Sequence, residues 1–314
     1  MKRIASLVAM FLTSLSLYAI DPADTRMLTQ PAVGPGKIAF IYAEDLWVAN
    51  TDGGSPKRLT IDQGIESLPA FSPDGKMIAF SAQYEGNIDV YTISSEGGIP
   101  TRLTWHPGAD MVRGFSPDGK EVLFLSQRAV FTNRHAQLFT IPVSGGLVKQ
   151  LEIPNANYAA WSPDGNWLAY TPLFDAFAQW KNYRGGRIAT ILLYSFKDRS
   201  VIKIPQPDGG CNDASPSWVN GKLYFRSDRN GEFNLYSYDL NTKSVEQLTD
   251  FRDFPILNIA ASKERVLFEQ AGYLHQYDPA AKTTAKLTIG IAADLLELRP
   301  RFAKGAQFIR GVDI

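Results

Sequence analysis

Phe71-Ser72-Pro73-Asp74-Gly75-Lys76 leads into the apolar run 77–80. The phrase returns as Phe115-Ser116-Pro117-Asp118-Gly119-Lys120 before 122–125, and as Trp161-Ser162-Pro163-Asp164-Gly165-Asn166 before 167–170. The three glycines stand about 45 residues apart, and a period in the forties made of short strand-like runs predicts a β-propeller with one blade per repeat. The phrase itself is turn chemistry. Proline pre-sets φ, aspartate bonds its own turn, and glycine takes the positive-φ position. A metal site needs several oxygens converging on one point. Aspartates spread one per blade do not converge, so no metal is expected.

Two further signals extend the repeat. One alternates apolar and polar residues, as in Asp45-Leu46-Trp47-Val48, Asp89-Val90-Tyr91-Thr92 and Asn234-Leu235-Tyr236-Ser237, and predicts a half-buried strand. The other closes each unit: Arg58-Leu59-Thr60, Arg102-Leu103-Thr104, Gln247-Leu248-Thr249 and Lys286-Leu287-Thr288. Aligning them gives six units at 35–60, 61–104, 105–151, 152–206, 207–249 and 250–288. The expectation is an all-β, six-bladed propeller over 35–290 with WD-repeat-like blades of about 43 residues. The first unit lacks an opening strand, which is expected from the far end of the chain.

The 314 residues are 45% apolar, enough for such a core, and 32 Lys plus Arg balance 32 Asp plus Glu. A neutral chain without a basic run points away from nucleic acid. Lys2 and Arg3, the apolar stretch from Ile4 to Leu17, and Leu17-Tyr18-Ala19 read as a signal peptide over 1–19. At about 15 residues the stretch is short of the roughly 20 that span a bilayer. An exported chain is therefore expected, periplasmic or secreted, with no membrane association after cleavage. Residues 20–34 read as a linker. Cys211 is the single cysteine, so no internal disulfide is available.

The fourth unit is about ten residues longer than the preceding step. Its extra length alternates aromatic and cationic residues, Phe174-Asp175-Ala176-Phe177-Ala178-Gln179-Trp180-Lys181-Asn182-Tyr183-Arg184-Gly185-Gly186-Arg187. Loops held on a rigid scaffold often bind. Trp180, Tyr183, Arg184 and Arg187 are the candidate contacts for a peptide or a neighbouring domain; packing as a plug is the competing reading. Catalytic constellations are missing from the sequence. His106, His135 and His275 are scattered, and there is no Gly-x-Ser-x-Gly elbow or Gly-x-Gly-x-x-Gly loop. No catalytic residue and no cofactor are expected.

Several strings carry a family resemblance: Leu103-Thr104-Trp105-His106-Pro107-Gly108-Ala109-Asp110, Val112-Arg113-Gly114-Phe115, Trp180-Lys181-Asn182-Tyr183-Arg184-Gly185-Gly186-Arg187, and Leu223-Tyr224-Phe225-Arg226-Ser227-Asp228-Arg229-Asn230-Gly231. From about residue 33 onward the chain resembles the N-terminal six-bladed propeller of tricorn proteases, in particular their bacterial homologues. The TolB family and the propellers of prolyl oligopeptidases share only the Ser-Pro-Asp-Gly repeat. The resemblance implies a non-catalytic propeller that gates and channels peptides or unfolded polypeptide for a serine-type peptidase. It implies further domains of the same protease as partners, homo-oligomers, and a catalytic serine outside this sequence. Residues 291–314 are expected to lead into a following domain, so the sequence reads as truncated before the catalytic domains. The alternative is a free-standing, TolB-like periplasmic interaction scaffold.

Overall fold

The structure is a computed structural model describing residues 22–293, apart from Asn133, together with Gly305. Its described residues form six antiparallel meanders of four strands each. Blade 1 comprises β1 (Thr29–Val33), β2 (Lys37–Tyr42), β3 (Asp45–Asn50) and β4 (Lys57–Arg58). Blade 2 comprises β5 (Glu66–Phe71), β6 (Met77–Ala82), β7 (Asp89–Ser94) and β8 (Thr101–Arg102). Blade 3 comprises β9 (Asp110–Phe115), β10 (Glu121–Ser126), β11 (Gln137–Pro142) and β12 (Lys149–Gln150). Blade 4 comprises β13 (Ala159–Trp161), β14 (Trp167–Tyr170), β15 (Leu192–Ser195) and β16 (Val201–Lys203). Blade 5 comprises β17 (Asp213–Val219), β18 (Lys222–Ser227), β19 (Asn234–Asp239) and β20 (Ser244–Gln247). Blade 6 comprises β21 (Ile256–Ala261), β22 (Val266–Gln270), β23 (Tyr273–Asp278) and β24 (Thr283–Lys286). The first strand of each blade lies against that of the next, and β21 returns to β1. The chain is a closed six-bladed all-β propeller.

The core lies between blades. Each second strand is covered on both sides and is almost wholly buried. At its centre stands Phe40, Phe80, Phe124, Phe225 or Phe268, each facing an aromatic or histidine ring on the third strand. Burying one such ring contributes roughly 1.5–3 kcal/mol. In blade 4 the position is held by Tyr170, opposite Leu192. Trp218 of blade 5 packs with Ala169 and Leu193 of blade 4, with its indole N–H donating to the Ala160 carbonyl at 3.1 Å.

The repeated phrase folds as a self-sufficient turn. Ser72, Ser116 and Ser162 donate to Asp74, Asp118 and Asp164 at 2.6, 2.7 and 2.5 Å. The same carboxylates accept from the backbone N–H two residues on, at 3.1 Å each. The serine hydroxyl is the first cause holding these carboxyls below their ordinary range. The glycines have φ of +74°, +73° and +73°, a region open to glycine and strained for other residues. They also nest against the preceding blade. A Cβ on Gly75 would stand 2.8 Å from Pro35, one on Gly119 3.3 Å from Pro73, and one on Gly165 3.7 Å from Pro117.

The unit-closing signal is also structural. Thr60, Thr104 and Thr249 accept from the backbone N–H of Leu46, Val90 and Leu235 at 3.0, 3.0 and 2.9 Å. The partner of the third strand changes in concert with the closing strand. Asp45 pairs with Arg58 and Asp89 with Arg102, whereas blade 5 has Asn234 and Gln247 at the matching positions. Charge is removed from both members together, which avoids leaving one ion buried alone.

Ring closure departs from the sequence expectation. Blade 1 takes its opening strand from Thr29–Val33, within the segment read as a linker, and not from the far end of the chain. That strand was hard to see because Gln30 and Pro31 interrupt its alternation and its register shifts between Thr29 and Ala32. Glu269 of blade 6 fastens it, accepting from Thr29 Oγ1 at 2.8 Å, the Gln30 N–H at 3.3 Å and Asn258 at 2.8 Å. The far end contributes a brace instead of a strand. The Thr25 N–H donates to the Ile289 carbonyl at 2.8 Å, and Ile289 and Ile291 pack with Leu28 and Phe40. The propeller thus runs past both expected limits of 35 and 290. The signal peptide expected over 1–19 and residues 294–314, apart from Gly305, lie outside the described residues.

Candidate functional site

In each meander the first strand runs toward the face bearing the Ser-Pro-Asp-Gly turns. The loops between second and third strands, and the connections between blades, lie on the opposite face, here the loop face. The long insertion of blade 4 joins β14 to β15 and belongs to the loop face. It contains one 3-10 turn, Ala176–Ala178, preceded by Asp175.

The four candidate residues have different surroundings. Arg184 reaches Asp228 Oδ2 at 2.7 Å and the Asp228 carbonyl at 3.1 Å. Asp228 is fully buried and also accepts from Asn212 at 2.7 and 2.9 Å. Asn212 in turn donates to the Tyr183 carbonyl at 3.0 Å. Arg184 is therefore the counter-ion of a buried carboxylate. Tyr183 is partly buried, with its ring centroid 6.1 Å from that of Trp180. Trp180 is 57% exposed, and Arg187, also exposed, makes two long bonds of 3.4 Å, from its guanidinium to the Phe174 carbonyl and from its N–H to Tyr183 Oη. The insertion packs through Tyr183 and Arg184 and presents Trp180 and Arg187 to solvent.

Beneath it lies a charged cluster that the sequence reading did not single out. Arg226, 6% exposed, donates to Ser215 at 3.1 Å, Tyr158 Oη at 3.2 Å and the Ile256 carbonyl at 3.4 Å. Its guanidinium stands 5.1 Å from the Phe177 ring centroid and 3.7 Å from the Asp175 carboxylate. Arg113, on the first strand of blade 3, and Arg226 each stand 5.8 Å from the Tyr158 ring centroid. Burial pushes the Asp175 carboxyl and the Tyr158 phenol up, and brings Arg113 down to about 10. The cluster joins the inner strands of blades 3 to 6 at their loop-face ends and anchors the insertion above them. A signal existed: Arg226 occupies a position filled by Ile41, Ser81, Leu125 and Thr171 in blades 1 to 4. A charge inside a buried strand needs partners.

The histidines sit on separate blades. His106 Nδ1 accepts from the Gly108 N–H at 3.0 Å, and His275 stacks on Phe268 at 5.3 Å with burial holding its pKa down. Cys211 is fully buried, its thiol pushed up to about 12 by burial, and it donates to Asp213 at 3.4 Å. A neutral, enclosed thiol is a packing group and not a nucleophile.

Residues 25–283 match the family described as the tricorn protease N-terminal beta propeller domain. Among curated proteins, the putative tricorn protease homolog 2 of Streptomyces coelicolor is 30% identical over 302 residues, covering 91% of this chain and 25% of the relative. The Tol-Pal system protein TolB of Ruthia magnifica is 34% identical over 91 residues, covering 28% of this chain and 19% of that protein. Among solved structures, the crystal structure of the tricorn protease superposes with a TM-score of 0.75 at 24% identity, covering 86% of this chain and 27% of the other. The chain spans about a quarter of the length of the tricorn relatives it matches. By that match over most of its length, the chain belongs to the tricorn protease family through the family's N-terminal propeller domain.

Proposed function

We propose that this chain is the non-catalytic, peptide-gating propeller of an exported tricorn-type serine protease. The observation that carries the reading is a bias between the two faces. Ile61, Ile65, Trp105, Phe131, Trp180 and Phe254 are exposed large apolar side chains on loop-face connections, against Ile99, Leu147 and Phe196 on the opposite face. Apolar residues gathered on a face mark a place where polypeptide is met. The axis of the ring serves as a size filter that passes extended chain and turns folded protein away. Trp180 offers a ring to apolar side chains, and Arg187 a guanidinium to carboxylates. The catalytic serine, the following domains as partners, and export through the N-terminal leader all belong to this proposal.

The test uses the purified chain and fluorescently labelled α-lactalbumin. The reduced, carboxymethylated form is expected to bind saturably, without cleavage, and the native form not at all. Trp180→Ser with Phe131→Ser is expected to weaken binding by about fivefold or more, the loss of two aromatic contacts of roughly 0.5–1.5 kcal/mol each. Cleavage by the chain alone, or equal binding of both forms, overturns the reading. A second reading, a free-standing TolB-like scaffold, rests on the 34% identity to a TolB over 91 residues. It predicts that neither form binds.

A further inference from the structure

The outer strands of the blades are the exposed edges of six sheets. Five of them carry charged or polar sequences: Lys57–Arg58, Thr101–Arg102, Lys149–Gln150, Ser244–Gln247 and Thr283–Lys286. Such residues are how sheet proteins prevent their edges from pairing with other chains. The outer strand of blade 4, β16, is different. Val201 is 51% and Ile202 39% exposed. Beside them, Phe196 is exposed and stacks on Trp161 with ring centroids 4.6 Å apart.

The backbone of this edge is also available. The Ser195 N–H donates to the Ser200 carbonyl, and the Ile204 N–H to the Ile191 carbonyl. In an antiparallel pair such residues alternate. Ile202 therefore faces β15, and the N–H and C=O groups of Val201 and Lys203 face outward. The unpaired charges around the edge have one sign. Lys197 and Lys203 are exposed and have no carboxylate partner among the described residues. Arg199 is paired with Glu152 at 3.3 Å, and Asp198 is engaged by the Ser200 hydroxyl and N–H at 2.8 and 3.1 Å.

We propose that β16 is a docking edge for an extended segment of a partner polypeptide, with alternating apolar side chains between acidic ends. The segment adds as a fifth strand to blade 4, a known mode of peptide capture by sheet edges. Its backbone pairs with Val201 and Lys203, its apolar side chains lie by Ile202 and Phe196, and its carboxylates meet Lys197 and Lys203. A second copy of this chain fits less well, because two such edges would bring four unpaired lysines to one seam. The proposal is independent of the gating function, which concerns the loop face.

Fluorescence polarisation of the purified chain with labelled Glu-Thr-Val-Thr-Val-Thr-Glu tests it, with Lys-Thr-Val-Thr-Val-Thr-Lys as the comparison probe. The acidic probe is expected to bind saturably and the basic probe at least about tenfold more weakly. Val201→Pro removes an outward donor and no internal bond, a change that edge strands tolerate. It is expected to abolish binding without moving the melting temperature. Lys203→Glu is the second variant and is expected to reverse the preference between probes. The proposal is overturned if the acidic probe does not bind, if both probes bind alike, or if both variants bind as the parent does. A parent chain that is dimeric and becomes monomeric on Val201→Pro overturns it in favour of a second copy.

Discussion

Blades 2 and 4 are built from the same phrase and diverge everywhere else. Blade 2 has a six-residue inner strand with a shifted register, a stacked Phe80–Tyr91 pair and an outer strand pinned by Arg102 to the buried Asp89. Blade 4 has a three-residue inner strand in continuous register, Tyr170 opposite Leu192 in place of the stacked aromatic pair, a long insertion and an apolar outer strand. A neighbour supports blade 4: Trp218 packs with Ala169 and Leu193, and Arg226 holds the insertion. A repeat that depends on its neighbours is one whose own sequence serves another end.

The largest expected effect breaks that dependence. Arg226→Ala removes the partner of Asp175 and the cation between Tyr158 and Phe177, and should cost about 4 kcal/mol, in the range for breaking a buried ion pair. Ser81, at the matching position of blade 2, accepts from the Val112 N–H at 2.8 Å. Ser81→Ala should cost about 1–2 kcal/mol. Urea denaturation of both variants checks the contrast; equal losses would mean that the insertion is not held by Arg226.

A second experiment sharpens the comparison from the blade 2 side. Glu66 is buried at the start of β5, accepts from Thr60 at 2.9 Å, and its carboxyl is pushed up to about 7, chiefly by burial. The folded state therefore binds this proton more tightly than the unfolded chain does. That contribution is full below the unfolded value of 4.5 and is lost as pH rises through about 7. Between pH 5 and 8 the parent should lose about 2.5 kcal/mol more than Glu66→Gln. A melting curve series across that range decides it, and parallel profiles would refute it.

The smallest effect grades the shared turn. Gly75→Ala meets both positive φ and Pro35, whereas Gly165→Ala meets φ and only ordinary contact with Pro117. Losses of about 2 and about 1 kcal/mol are expected, measured by chemical denaturation. The reverse order would show that proline nesting does not stabilise the ring.

The sequence by itself determined the number of blades, the turn chemistry and the class of fold. Those signals are local: serine to aspartate is two residues, and strand alternation has a period of two. The insertion that carries Trp180 and Arg187 was legible for the same reason, as extra length in the fourth unit. Tertiary structure alone decided that Arg184 is the counter-ion of Asp228, that Arg226 serves Asp175, and that Thr29–Val33 closes the ring against Glu269. The first two pairs meet only when blades 4 and 5 pack, and the third only when the circle closes. A buried charge shows in a sequence as an anomaly, but the group that neutralises it is set by the fold.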